Sequence, residues 1–248
     1  MKELEGRVAL VTGGTRGIGA AIAKALANAG ADVAITYMQT ADKARDVVSA
    51  IEATGRRATA FRHDQADSAR AAELVARVID HFGTLDILVN NAAVFRSYSV
   101  DDPDIDKEGL DQLYATNLFG VIAMIRAGAR VMKPGGRIIS ISSNVAHRAT
   151  LPGFADYIAT KSAVTGFSKG AARDLGPRGI TVNIVASGPT ITEMNPDDTD
   201  MAISLKQLSS VGRYGRPEEI AGAVVYLAGP RASYITGTVI AVDGGIDA

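Results

Sequence analysis

Cysteine is absent from the 248 residues, and aromatic side chains make up only 5%. Without cysteine there is no disulfide, no thiolate nucleophile and no cysteine-ligated metal, a composition that fits a reducing compartment. An excess of either charge is also missing: 26 Lys and Arg face 27 Asp and Glu, for a formal net charge of -1. The signs are interspersed, which removes the electrostatic footprint of a nucleic-acid or anionic-membrane binder and leaves a small molecule as the expected partner. The chain starts "MKELEGRVALVTGG", with only four consecutive apolar residues before turn chemistry begins. That is too short for a signal-peptide core or a membrane span, so the cytoplasm is the expected location. His63, His81 and His147 have no ligand-like spacing, and no metal is expected; His147 remains a candidate substrate contact.

What the sequence does contain is short Val- and Ile-rich runs separated by helix-length segments. Strands are predicted at 7–11, 32–36, 57–61, 85–89, 137–142, 180–185 and 238–242. Most do not alternate with polar residues, as expected of strands buried on both faces. Segments such as "GIGAAIAKALANAG" between them repeat their apolar residues at helical spacing. Strand and helix in series predict an α/β fold: one Rossmann-type, doubly wound parallel sheet of about seven strands, helices on both faces, in a single domain over 1–248. The segment at about 188–215 departs from the pattern and reads as a substrate lid. Proline-rich linkers and low-complexity stretches are absent.

In such a sheet the ligand sits beyond the carboxyl ends of the strands. The first strand-to-helix turn, "VTGGTRGIG" (11–19), has Gly13, Gly14, Gly17 and Gly19, which let backbone amides and a helix N-terminus meet a phosphate. The spacing is not the common G-x-G-x-x-G, and a tight turn alone would also explain it. Tyr157 and Lys161 lie four apart in a helical stretch, on one face, so that an ammonium can act on a phenol. Together with an oxidised nicotinamide it is expected to lower the phenol's pKa, and Ser143, at the end of the fifth strand, is placed to meet the same substrate oxygen.

"TGGTRGIG" (12–19), "NNAA" (90–93) and "YIATK" (157–161) downstream of "ISS", in this order, resemble the short-chain dehydrogenase/reductase family over essentially the whole chain, to the closing "YITGTVIAVDGG" (234–245). Its 3-oxoacyl-[acyl-carrier-protein] reductases and related carbonyl reductases are the most similar branch. The resemblance implies hydride transfer between a nicotinamide and a carbonyl or alcohol. Tyr157 is then the proton donor, Ser143 steadies the substrate oxygen, Lys161 tunes the tyrosine and holds the ribose, and Asn117 helps hold a proton-relaying water. It also implies cofactor contacts at Gly13, Thr15, Arg16, Gly17, Ile18, Gly19, Asp64 (adenine), Asn90, Ala92, Gly188 and Thr192. Homotetramers built on the helices near 110–132 and 155–175 are expected.

The end of the second strand reads Tyr37, Met38, Gln39, Thr40, where an NAD-preferring site places an acid. With no carboxylate there, Arg16 is expected to pair with a 2′-phosphate, so NADP(H) is expected over NAD(H). Three departures from the family pattern are visible: Ala93 for glycine, Ser187 for proline, and fourteen positions from Ser143 to Tyr157, which keeps Ser142 as a rival. Phe95, Tyr98, Phe154 and Met194 are candidate pocket walls. Arg96, Arg148, Arg126 and Arg130 are candidate contacts for an acyl carrier. An NADPH-dependent ketone reductase, an oxidative alcohol, sugar or steroid dehydrogenase, and an idle cofactor-binding protein all remain open.

Overall fold

The computed structural model describes residues 2–149 and 151–248. Seven strands, β1 (Val8–Val11), β2 (Asp32–Tyr37), β3 (Ala58–Arg62), β4 (Ile87–Asn90), β5 (Arg137–Ser143), β6 (Thr181–Ser187) and β7 (Val239–Val242), form one sheet. Every pairing is parallel and the order is β3-β2-β1-β4-β5-β6-β7. The expected doubly wound α/β fold is therefore present, with each strand within two residues of its predicted bounds.

The helices are α1 (Gly17–Asn28), α2 (Ala41–Glu52), α3 (Ala71–Phe82), α4 (Lys107–Tyr114), α5 (Gly120–Val131), α6 (Ala155–Leu175), α7 (Asp200–Leu208) and α8 (Pro217–Ala228). Because successive strand side chains point to opposite faces, each strand feeds two cores. Ala9, Val11, Val33, Ile35, Ile87 and Val89 face α1, α2 and α8, where Ile22, Leu26, Ile51 and Val224 meet them. Val8, Leu10, Ala34, Leu88 and Ile138 face α3, α5 and α6, with Leu74, Val78, Met124 and Val164. That double burial is why the strands read as unbroken apolar runs.

The strand order turns back between β1 and β4, and the loops after these strands are stapled to each other there. The Thr12 hydroxyl accepts the Asn91 and Ala92 N–H groups at 3.0 and 3.1 Å, and the Asn91 amide donates to the Thr12 and Gly13 carbonyls at 2.9 and 3.1 Å. A π-helical turn at Ala115–Phe119 joins α4 to α5. The 188–215 segment is not bare loop: it carries α7, and Ala202, Leu205 and Tyr214 close a small apolar cluster with Ile246, against which Leu151 packs. Among the described residues no helix is long and apolar enough to cross a membrane.

Candidate active site

A cleft of about 450 Å³ opens above the switch point. Its walls bring together Gly13, Thr15, Arg16, Gly17, Ile18, Gly19, Tyr37, Asp64, Ala92, Tyr157, Lys161 and Thr192, twelve residues that the sequence nominated from distant segments.

At one end lies the glycine loop. Gly13 (φ +64°) and Gly17 (φ +49°) take a left-handed backbone that a side chain resists. Gly19 packs where a Cβ would lie 2.2 Å from the Gly13 carbonyl oxygen. Arg16 caps α1 without a side-chain hydrogen bond, and the first turn holds no acid, so this helix N-terminus is free to receive an anion. The buried Asn90 Oδ1 at the end of β4 has no partner among the described residues, while its amide donates to Ser140 at 3.3 Å. A glycine cradle, an open helix end and an orphaned acceptor fit a phosphate-bearing dinucleotide.

At the other end stands the candidate catalytic group. The half-buried ring of Tyr157 packs edge-on against Phe95 at 5.1 Å, which in turn meets Phe154 at 4.9 Å. Lys161 is 5% exposed; its ammonium donates to the Ile141 carbonyl at 3.1 Å and lies 5.6 Å from the Tyr157 ring centre. Burial holds Lys161 down to about 8. Burial also pushes Tyr157 up to about 12, and the neighbouring Ser143 hydroxyl works against it as the smaller effect. The expected lowering of the phenol is thus reversed in the protein alone: a partly neutralised, carbonyl-bound lysine does not offset the loss of water around the ring.

The rival serines separate. Ser142 borders the cleft, but its hydroxyl donates to the Lys161 carbonyl at 3.2 Å and meets the Thr165 hydroxyl at 3.3 Å. The Ser143 hydroxyl faces the Tyr157 phenol and accepts the Val145 N–H at 3.4 Å. The Asn117 carboxamide is tied to the Val94 backbone, accepting its N–H at 2.9 Å and donating to its carbonyl at 2.8 Å, so it pins the loop after β4 and still keeps a second N–H and a second lone pair. At Gly188 a Cβ would lie 2.5 Å from the Asp243 Cα, so packing against the residue after β7 requires glycine there.

Among the candidate walls, Tyr98 is turned to Asp106, donating at 3.4 Å, and Arg96 spends its guanidinium on the Phe95 carbonyl and Gln112. Arg148 donates to the Ile246 carbonyl. Arg126 and Arg130 line a separate hollow of about 410 Å³ beside Phe119 and Ala123, away from the tyrosine. Sequence reading missed Thr12 and Asn91, which staple the loops, and Gln65, whose buried carboxamide borders the cleft without a partner among the described residues. It also missed Lys43 and Glu193. The first turn of the helix after β2 and the neighbour of Thr192 were the signals available.

A family model described as enoyl-(acyl carrier protein) reductase matches residues 13–247. A 3-oxoacyl-[acyl-carrier-protein] reductase of Synechocystis sp. is 40% identical, with 99% of each chain covered. The cyclic-di-GMP-binding biofilm dispersal mediator protein of Escherichia coli is 39% identical, with 100% of each chain covered. Among solved structures, a short-chain dehydrogenase of Burkholderia cenocepacia in complex with NADP superposes with a TM-score of 0.96 at 48% identity, covering 99% of this chain and 100% of that one.

The Lys161 shift has a checkable sign. Its folded value of about 8 lies below the ordinary 10.5, so folding favours the neutral amine. The penalty is absent above pH 10.5, grows as pH falls through 10.5 to 8, and is fully present below 8. Lys161→Met is therefore expected to be more stable than the natural protein at pH 7, by about 1–2 kcal/mol, with the gain shrinking by pH 10. Urea unfolding at the two pH values measures this; a variant less stable at pH 7 would contradict it.

Proposed function

The chain belongs to the short-chain dehydrogenase/reductase family, and on that footing we propose that it is an NADPH-dependent oxidoreductase reducing a ketone, of 3-oxoacyl or another carbonyl type, to a secondary alcohol. The observation that carries this reading is the meeting of Tyr157 and buried Lys161 at one end of a cleft whose other end is the glycine loop with Arg16, with Ser143 hydrogen-bonded to the Tyr157 phenol behind that wall. The bound cofactor's chemistry is hydride donation to the carbonyl carbon. The chain supplies the rest. Tyr157 gives its proton to the carbonyl oxygen, and Ser143 hydrogen-bonds that oxygen as charge develops. Lys161 holds the cofactor ribose and returns a proton towards Tyr157, and Arg16 takes the 2′-phosphate.

Asn117 acts here as a positioning residue, through the Val94 backbone that its carboxamide pins. The wide turn around it is a candidate for a water on the proton path, because π-type bonding leaves a carbonyl without its usual partner. The 188–215 segment is read as the lid: Thr192 and Met194 line the cleft, and α7 follows. Phe95, Phe154 and Met194 give the substrate end its apolar character. Oxidative turnover of an alcohol or sugar uses the same groups in reverse. The name of the Escherichia coli relative favours a second reading, nucleotide binding without turnover. The buried Lys161 beside Tyr157 argues for chemistry, since a pure binding site gains nothing from that costly pair.

Self-association through α4–α5 and α6 is the proposed assembly, supported by the apolar hollow along α5 and by Phe119, 55% exposed beside it. Sedimentation at micromolar concentration checks it; a single 25.8 kDa species would contradict it.

The mechanism is tested with Tyr157→Phe on a ketone panel with NADPH. The phenylalanine keeps the ring on Phe95 and loses only the hydroxyl. The reduction rate is expected to fall at least about a thousandfold, with NADPH affinity within twofold. More than a tenth of the rate remaining in a variant of unchanged melting temperature would place the proton donor elsewhere.

A further inference from the structure

Arg16 is already engaged within the chain. Its guanidinium lies 3.4 Å from the Glu193 carboxylate, and the Lys43 ammonium reaches the other carboxylate oxygen at 2.5 Å. The three residues come from three places: the N-cap of α1, the first turn of α2, and the loop after β6. The two helix starts are also joined directly, because the Thr15 hydroxyl meets that of Thr40, the N-cap of α2, at 3.2 Å. Two cations and two positive helix ends therefore converge at the mouth of the cleft. Asp42, the acid in the first turn of α2, is paired with Arg45.

The anion between the two cations is Glu193. Hydrogen bonding to Lys43, and then Arg16, holds its carboxyl below the usual range, so it is charged at neutral pH. All three side chains are about half exposed, which makes each ion pair weak and open to exchange. A phosphate offers more charge and more acceptor oxygens than a carboxylate, and can take both cations at once.

We propose that Arg16 and Lys43 together form the seat of the cofactor's ribose 2′-phosphate, and that Glu193 is a resident carboxylate which that phosphate displaces. This deepens the NADPH reading above and rests on it. Glu193 then acts as a specificity-determining residue of unusual sign. It charges NADPH the cost of breaking two ion pairs and is silent towards NADH, which brings no anion to that place. The residue also stands between Thr192 and Met194, both on the cleft wall. Exchanging it for phosphate releases the start of the lid from the glycine loop, so cofactor binding and lid freedom are coupled.

Binding alone tests this. Dissociation constants for NADPH and NADH are read from nicotinamide fluorescence, and those for adenosine 2′,5′-bisphosphate and adenosine 5′-monophosphate from calorimetry. Glu193→Gln is expected to tighten NADPH and the bisphosphate about three- to tenfold while NADH and the monophosphate move less than twofold. Lys43→Gln is expected to lower the NADPH-to-NADH affinity ratio about tenfold. Weaker NADPH binding in Glu193→Gln, or equal changes for both cofactors, would overturn the proposal, since the carboxylate would then be a structural tie. Arg16→Ala separates the two levels. Equal losses of NADPH and NADH would sink the NADPH reading itself, whereas an NADPH-selective loss with unselective Lys43 and Glu193 variants would sink only the present proposal.

Discussion

The ammonium of Lys161 on the carbonyl of Ile141 is the contact from which the inner end of the cleft is built. It fastens α6 to β5 one helical turn after Tyr157, and so decides where the phenol stands relative to Ser143 at the strand's end. Ser142 and Thr165 brace the same joint by donating to the Lys161 carbonyl at 3.2 and 2.9 Å. The phenylalanine pair Phe95 and Phe154 closes the aromatic side. An ammonium buried for the sake of one carbonyl is poor structural design, because desolvation outweighs a single hydrogen bond. Retaining it makes sense where its charge is used on something that comes and goes.

The two ends of the cleft work by opposite electrostatics. Around Tyr157 the protein is dry, both ionisable groups are pushed towards their neutral forms, and a small change of charge there has a large effect. Around Arg16 the groups are half exposed and already paired, and on the proposed reading charge is merely exchanged. A dinucleotide spans both regimes. On the proposed reading its phosphates meet the solvated cations and helix starts, where they bind without great desolvation, and its reactive ring reaches the dry end, where chemistry is sensitive to position. The loops after β1 and β4, stapled by Thr12 and Asn91, set the distance between them.

Much of this was legible in the chain because its information is local. Strands buried on both faces appear as runs such as Val8–Val11, and a left-handed turn appears as Gly13 or Gly17, with no knowledge of the rest of the molecule. Tyr157 and Lys161 share a helix, so their spacing was enough. What escaped depends on partners far away in sequence. Arg16 and Glu193 are 177 residues apart, and Asn117 meets Val94 across 23. The close approach that Asp243 makes to the glycine at 188 spans 55 residues. The raised Tyr157 value of the free protein escaped for a related reason: a four-residue spacing reveals a neighbouring charge but not the burial around the ring.

The central claim is that Tyr157 is held high by burial in the free protein and brought into the working range only when a positively charged ring lies beside it. Tyrosine labelled at the ζ carbon, followed by NMR across a pH titration and assigned with Tyr157→Phe, measures this directly. Without cofactor the phenol is expected to titrate near 12, and with saturating NADP⁺ its value is expected to fall by about three units or more. A Tyr157 resonance that titrates at the same pH in both states would contradict the account.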